Sequence, residues 1–189
     1  MFDAITAFDL SVLDAIQSSL KCAFLDFLMP LITLFGEGGI FWIAVTVIML
    51  CIKKTRKAGF VIGGALLLGL IFGNMILKPL VTRIRPYNLP GKELIRDALL
   101  VSPLSDYSFP SGHTLACFEG AVGMMFYSKK LGCASLVIAV LVAFSRLYLY
   151  VHYPSDVLAG IVLGTVFAFV SKFIVDKCYS AYEKKKKAA

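Results

Sequence analysis

The chain has 189 residues, 59% of them hydrophobic and only 16% charged, with a formal net charge of +7. Soluble domains run at about 45–50% apolar and about 25% charged, so the composition excludes an ordinary water-soluble globule. The positive charge does not point to nucleic acid either. It sits in short clusters between apolar runs, at Lys53-Lys54-Thr55-Arg56-Lys57 and Lys184 to Lys187, as the positive-inside rule describes for the ends of bilayer spans.

Residues 2–20 place Phe2, Ile5, Phe8, Val12, Ile16 and Leu20 near helical spacing, with Asp3, Asp9 and Asp14 between them. That pattern predicts an amphipathic helix lying at the membrane interface. No basic residue precedes Lys21, which is the wrong charge for a cleavable signal peptide. Apolar runs at about 23–36 and 39–52, joined by Gly36-Glu37-Gly38-Gly39, predict a helical hairpin whose first arm is weakened by Asp26 and Pro30. Residues 58–77 form the cleanest span, and Gly59, Gly63, Gly69 and Gly73 on it would let another helix approach closely. A polar, proline-bearing loop follows at 79–110, then three further runs at about 112–127, 132–150 and 156–176.

Since roughly 20 helical residues cross the hydrocarbon, the expected fold is an all-α polytopic membrane bundle of about six transmembrane helices plus the N-terminal interfacial helix. It reads as a single domain over 1–189, with 1–21 as the interfacial helix, 22–176 as the transmembrane core and 177–189 as a basic cytoplasmic tail. With the N-terminus inside, the lysine-rich segments 53–57 and 129–130 and the C-terminal tail all fall on the cytoplasmic side. The segments 36–39, 79–110 and 146–155 then face outward. Cys22, Cys51, Cys117, Cys133 and Cys178 lack metal-ligand spacing and read as small buried hydrophobes.

His113 and His152 are the chain's only histidines, and both fall at the outer ends of predicted spans. His113 closes Pro110-Ser111-Gly112-His113, which opens a helix whose free backbone N–H groups make an anion site. His152 precedes Asp156 by four residues, so the carboxylate can reach the imidazole, fix its tautomer and stabilise a developing imidazolium. Lys78, Arg85 and Arg146 would each be costly at membrane depth without an anionic partner. Guanidinium groups hold phosphate oxygens in pairs and lysine acts as a point charge, so these cations with a helix N-terminus suit a phosphoryl group.

Taken together, Lys78 followed after six residues by Arg85-Pro86, then Pro110-Ser111-Gly112-His113, then Ser145-Arg146, five residues, His152, three residues and Asp156, resemble the three-part signature of the type 2 phosphatidate phosphatase superfamily, which includes soluble vanadium haloperoxidases. The order and spacings match in all three parts, and the resemblance covers about 78–156. It implies that His152 attacks phosphorus to form a phosphohistidine, that Asp156 orients it, and that His113 protonates the leaving oxygen and then activates water. It further implies that Lys78, Arg85, Ser111, the Gly112 backbone and Arg146 bind the phosphoryl oxygens, with no metal and no other cofactor.

The implied activity is a lipid phosphate phosphatase of the plasma membrane with an extracytoplasmic pocket fed from the bilayer, and no nucleic-acid partner. Undecaprenyl diphosphate ranks first as substrate, by resemblance and size, with phosphatidylglycerol phosphate or phosphatidate next. A lipid phosphotransferase using the same phosphohistidine is the rival reading, and a transporter-like protein with intramembrane charges is a more distant one. Outside the signature, Glu119 reads as a structural glutamate inside a span, with lining of the substrate cavity as the alternative, Arg83 as a headgroup contact or solvated loop charge, and Tyr148, Tyr150 and Tyr153 as an interfacial aromatic belt, one of them a candidate border of the lipid entrance. Lys92, Glu93, Arg96 and Asp97 read as a solvated loop face.

Overall fold

The computed structural model describes residues 2–188, so Met1 and Ala189, the two ends of the expected 1–189 domain, lie outside it. Among the described residues the fold is all-helical. In chain order come α1 (Phe2–Leu20), α2 (Ala23–Thr33), a 3-10 segment Leu34–Gly39, α3 (Ile40–Cys51) and α4 (Arg56–Leu68). A π-helix at Gly69–Leu77 leads into α5 (Lys78–Val81), and the long loop carries a 3-10 turn at Pro86–Asn88 and α6 (Glu93–Asp97). The chain closes with α7 (Gly112–Tyr127), α8 (Lys129–Tyr148) and α9 (Pro154–Ala188). Four stretches are long and apolar enough to cross a membrane: Ala23–Cys51, Arg56–Asn88, Lys129–Tyr148 and Pro154–Lys186.

The short helix α7 is the hub. It packs on α8, α9 and α4, and every residue from Cys117 to Met124 is buried, as are Thr114 and Leu115. Small residues make this close packing possible. The Trp42 indole lies where any side-chain carbon on Gly120 would have to sit, and a β-carbon at Gly164 of α9 would stand 2.7 Å from the Leu115 carbonyl oxygen. The glycines of α4 and the π-helix act as their spacing suggests. Gly59 and Gly63 face Leu50 and Thr46 of α3, while Gly69 and Gly73 face Glu119 and Leu115 of α7.

Three expectations change. The run 58–77 is not one α-helix: from Gly69 it winds as a π-helix, in which each backbone bond reaches one residue further and the side chains rotate off the α register. Residues 23–52 do not pair as a hairpin. Glu37 and Gly38 leave helical geometry, and the arms diverge, α2 onto α8 and α3 onto α4. The C-terminal segment continues helix α9 through Lys184–Lys186 rather than leaving it at 176.

The aromatic belt is corrected too. Tyr148, Tyr150 and Tyr153 are each 1% exposed, because protein carboxylates take the first two hydroxyls and a guanidinium covers the third ring. Tyr148 donates to Asp26 at 2.7 Å, Tyr150 to Asp14 at 2.5 Å, and the Arg83 guanidinium stacks on the Tyr153 ring at 3.8 Å. Of the cysteines only Cys117 is buried in the protein, the other four facing outward. In the long loop, Glu93, Arg96 and Asp97 are exposed as expected, while Lys92 pairs with Asp14 at 3.1 Å.

Candidate active site

Helices α7 and α9 both begin at one end of the bundle, and α8 ends there, so the chain's chemistry-bearing strings meet at a single place. A cavity of about 790 Å³ opens at that end, with Lys78, Arg85, Asp106, Gly112, His113 and His152 on its polar wall. From there it runs along an apolar flank of α3 and α4 that includes Ile43, Val47, Leu66, Leu67 and Leu70. Ser111, Arg146 and Asp156 stand behind the polar wall, each at most 2% exposed.

Arg85 organises the centre. Its Nη1 donates to the Val151 carbonyl at 2.7 Å and lies 3.2 Å from His152 Nε2, while Nη2 reaches Asp106 Oδ1 at 2.6 Å. A guanidinium has donors only, so the ring nitrogen facing it is the unprotonated one and the proton of neutral His152 sits on Nδ1. That is the tautomer a nucleophilic Nε2 requires. Burial, reinforced by the charges of Arg85, Arg146 and Lys78, holds the His152 imidazole well below its usual range and therefore neutral.

The expected Asp156–His152 contact is looser than the spacing suggests, with Nδ1 3.6 Å from Oδ2. The cause is Ser108, whose hydroxyl donates to Asp156 Oδ2 at 2.5 Å and stands 3.5 Å from His152 Nδ1. The same carboxylate oxygen also accepts the Tyr153 N–H at 3.1 Å.

His113 Nε2 lies 3.1 Å from Glu37 Oε2, in the bend between α2 and α3. A carboxylate oxygen facing that ring nitrogen accepts from it, so Nε2 carries a proton directed at Glu37 on the cavity wall. In α7 the Leu115 N–H closes the first turn on Ser111 O at 2.9 Å, which leaves the amides of Gly112 and His113 without a helical partner. Arg146 donates to Thr33 at 2.6 Å, and its Nε is buried with no partner among the described residues. An unmatched guanidinium N–H at this place is suited to an anion.

Asp106 bridges Lys78 and Arg85. Burial alone would raise its pKa, but the two cations outweigh that and lower it to about 2. Its carboxylate thus occupies the position of an anion between two groups suited to phosphate oxygens. Asp106→Asn is expected to tighten vanadate inhibition by about tenfold, since the competing charge is gone. Weaker inhibition would instead make Asp106 a group that orients the cations for phosphate.

All eight signature residues therefore meet at this end of the bundle. Spacing did not point to Glu37, Asp106 or Ser108. The one sequence signal for Glu37 is a lone carboxylate set among glycines between two apolar runs; nothing in the loop composition marks the other two. Arg83 is not a solvated loop charge: its side chain is 12% exposed and pairs with Asp9 at 2.7 Å and Asp156 at 2.6 Å. Glu119 is 1% exposed beside Gly69 on the cavity's apolar flank, with Oε1 unpartnered among the described residues.

The family model described as the PAP2 superfamily matches residues 58–180. The chain belongs to this superfamily. It is similar to an undecaprenyl-diphosphatase of Sulfolobus acidocaldarius, 35% identical over 153 residues, covering 80% of this chain and 71% of that protein. It is also similar to phosphatidylglycerophosphatase B of Bacillus subtilis, 32% identical over 168 residues, covering 80% and 70%. Among solved structures it resembles a transmembrane PAP2-type phosphatidylglycerolphosphate phosphatase from Bacillus subtilis. The TM-score is 0.68 at 28% identity, over 92% of this chain and 95% of that one.

Proposed function

We propose that this PAP2 protein is a membrane phosphatase acting on a lipid phosphomonoester or diphosphate through a phosphohistidine on His152. The observation that carries the reading is the Nε2 of buried His152 on the cavity wall, 3.2 Å from Arg85 Nη1. When a phosphoryl group enters, its oxygens take the Arg85 donors and the Nε2 lone pair is released toward phosphorus. The P–N bond forms as the bond to the leaving oxygen breaks, and His113, entering this step as the imidazolium, gives that oxygen its proton and is left neutral. His113 then takes a proton from water, whose oxygen attacks phosphorus, and the P–N bond breaks to free phosphate and His152. Lys78, Arg85, Arg146, Ser111 and the Gly112 amide hold the equatorial oxygens where negative charge is spread.

The chain forms one membrane domain crossed by α3, α4, α7, α8 and α9, one crossing fewer than the six expected, while α1 and α2 lie at the active-site end, where Asp9 meets Arg83, Asp26 meets Tyr148 and Glu37 meets His113. The lysine-bearing segments 53–57 and 129–130 and the C-terminal end of α9 face the cytoplasm, so the cavity opens on the outer side, and α1, tied to Arg83 and Ser155, lies on that side with it. The apolar flank receives the lipid chain from the bilayer. A polyprenyl diphosphate such as undecaprenyl diphosphate ranks first, supported by the Sulfolobus relative, and phosphatidylglycerol phosphate second, supported by the Bacillus protein.

The test is phosphate release by the purified protein in detergent, with a chelator present, from polyprenyl diphosphate, phosphatidylglycerol phosphate and phosphatidate. Release from at least one of them in chelator is expected. Activity that appears only after a divalent metal is added would overturn the mechanism.

A further inference from the structure

Arg83 falls between Lys78 and Arg85 but is not itself a signature residue, yet its guanidinium bonds to four side chains, those of Thr6, Asp9, Ser155 and Asp156. Its Nη1 donates to Asp156 Oδ1 at 2.6 Å and to the Ser155 hydroxyl at 2.7 Å; its Nη2 donates to Asp9 Oδ2 at 2.7 Å. Its planar group lies 3.8 Å above the Tyr153 ring. Its main-chain carbonyl accepts the Ser108 N–H at 2.8 Å. One residue thus holds both groups that face His152 Nδ1: the Asp156 carboxylate through its side chain, and Ser108 through its backbone.

Asp9 completes the arrangement from α1. It is 2% exposed, and besides Arg83 it accepts the Ser155 N–H at 3.1 Å and the Ser155 hydroxyl. This carboxylate faces into the protein while its neighbour Phe8 is 67% exposed. A carboxylate that deep is held by its partners, and here they are Arg83 and the first turn of α9, which also carries Asp156.

We propose that Arg83 is a positioning residue for the His152 nucleophile, and that α1 belongs to the catalytic apparatus through Asp9, which fixes Arg83 so that Asp156 and Ser108 stay aligned on Nδ1. The proposal rests on the reading of His152 as nucleophile. It also explains the charge balance: two carboxylates around one guanidinium leave one negative charge for the imidazolium that forms when Nε2 is phosphorylated. Neither Arg83 nor Asp9 touches the phosphoryl cradle of Lys78, Arg85 and Arg146.

Arg83→Met keeps an unbranched apolar stem and removes the charge and its hydrogen bonds. It is expected to lower kcat about 10- to 100-fold, the usual scale for groups that orient a reacting residue, while KM and vanadate inhibition stay within about twofold. Arg83→Lys is expected to recover part of the loss, and Asp9→Asn to lower kcat in the same direction. The double variant is expected to be no worse than Arg83→Met alone, since both act on one linkage. Asp14→Asn is the control, because it cuts the other ties of α1, to Lys92 and Tyr150, without touching Asp156. It is expected to leave kcat unchanged.

A kcat within twofold of wild type in both Arg83→Met and Asp9→Asn would overturn the proposal, as would an equal loss in Asp14→Asn. If Arg83→Met does not fold, Asp9→Asn and Arg83→Lys carry the test. His152→Gln, run alongside, separates the two levels. Activity retained there would sink the parent reading, whereas an inactive His152→Gln beside a fully active Arg83→Met would sink this inference alone.

Discussion

His152→Gln is expected to abolish phosphate release, by a factor of about 10⁴ or more, with the protein still folded and still binding vanadate. The size follows from the role. A residue that forms the covalent intermediate cannot be bypassed by the cradle around it, and Gln offers an amide of similar reach with no nucleophilic lone pair. The fold is expected to tolerate the change because the imidazole makes few obligatory bonds. Its Nδ1 contacts lie at 3.5 and 3.6 Å, and Ser108 and Asp156 remain bonded to each other without it.

The same burial sets the pH behaviour. The His152 value is depressed, so the folded site refuses a proton that the unfolded chain accepts below about 6.5. Stability from this group is therefore present above that pH and lost as pH falls below it. The nucleophile itself stays neutral, so its protonation does not produce the acid limb of kcat/KM.

The second large effect concerns His113. With a lipid alcohol as leaving group, His113→Gln is expected to lower kcat by about 10²–10⁴, the range for removing a positioned general acid. The loss should depend on the leaving group. With p-nitrophenyl phosphate, whose leaving phenolate needs no proton, His152 is still phosphorylated while hydrolysis of the P–N bond lacks its base. A burst of p-nitrophenol equal to one per active site, followed by a slow steady rate, is the expected trace. Equal losses for both substrates, with no burst, would remove His113 from the acid role. The Glu37 contact at 3.1 Å fits that role by fixing which nitrogen carries the proton.

The sequence was legible where chemistry and spacing coincide. Lys78, Arg85, Ser111, Gly112, His113, Arg146, His152 and Asp156 stand in three short strings, so their meeting at one place could be expected from order and type alone. Ser108, Asp106, Glu37, Asp9 and Arg83 act through partners 21 to 146 residues away, and nothing local distinguishes a carboxylate bound to a guanidinium from one bound to water. The tyrosines of 148–153 misled for the same reason. Aromatic rings beside charges look alike in sequence whether the partner is a lipid headgroup or Asp14.

Helix locations were legible from apolar runs, but the winding was not. A span that is apolar on every side carries no phase, so the π-helix that ends at Lys78 leaves no trace in the pattern of 69–77. The splayed arms of 23–51 were hidden because the glycines around Glu37 permit either a tight hairpin or an open bend.

The most direct test of the central claim is to trap the phosphoenzyme. The protein is mixed briefly with p-nitrophenyl phosphate labelled in its phosphoryl group, whose leaving group needs no acid, then quenched in alkali and analysed for bound label. The account predicts label on His152, stable to base and lost in acid as a P–N bond requires, enriched in His113→Gln and absent in His152→Gln. No bound label in His113→Gln, or an acid-stable label on a hydroxyl residue, would contradict it.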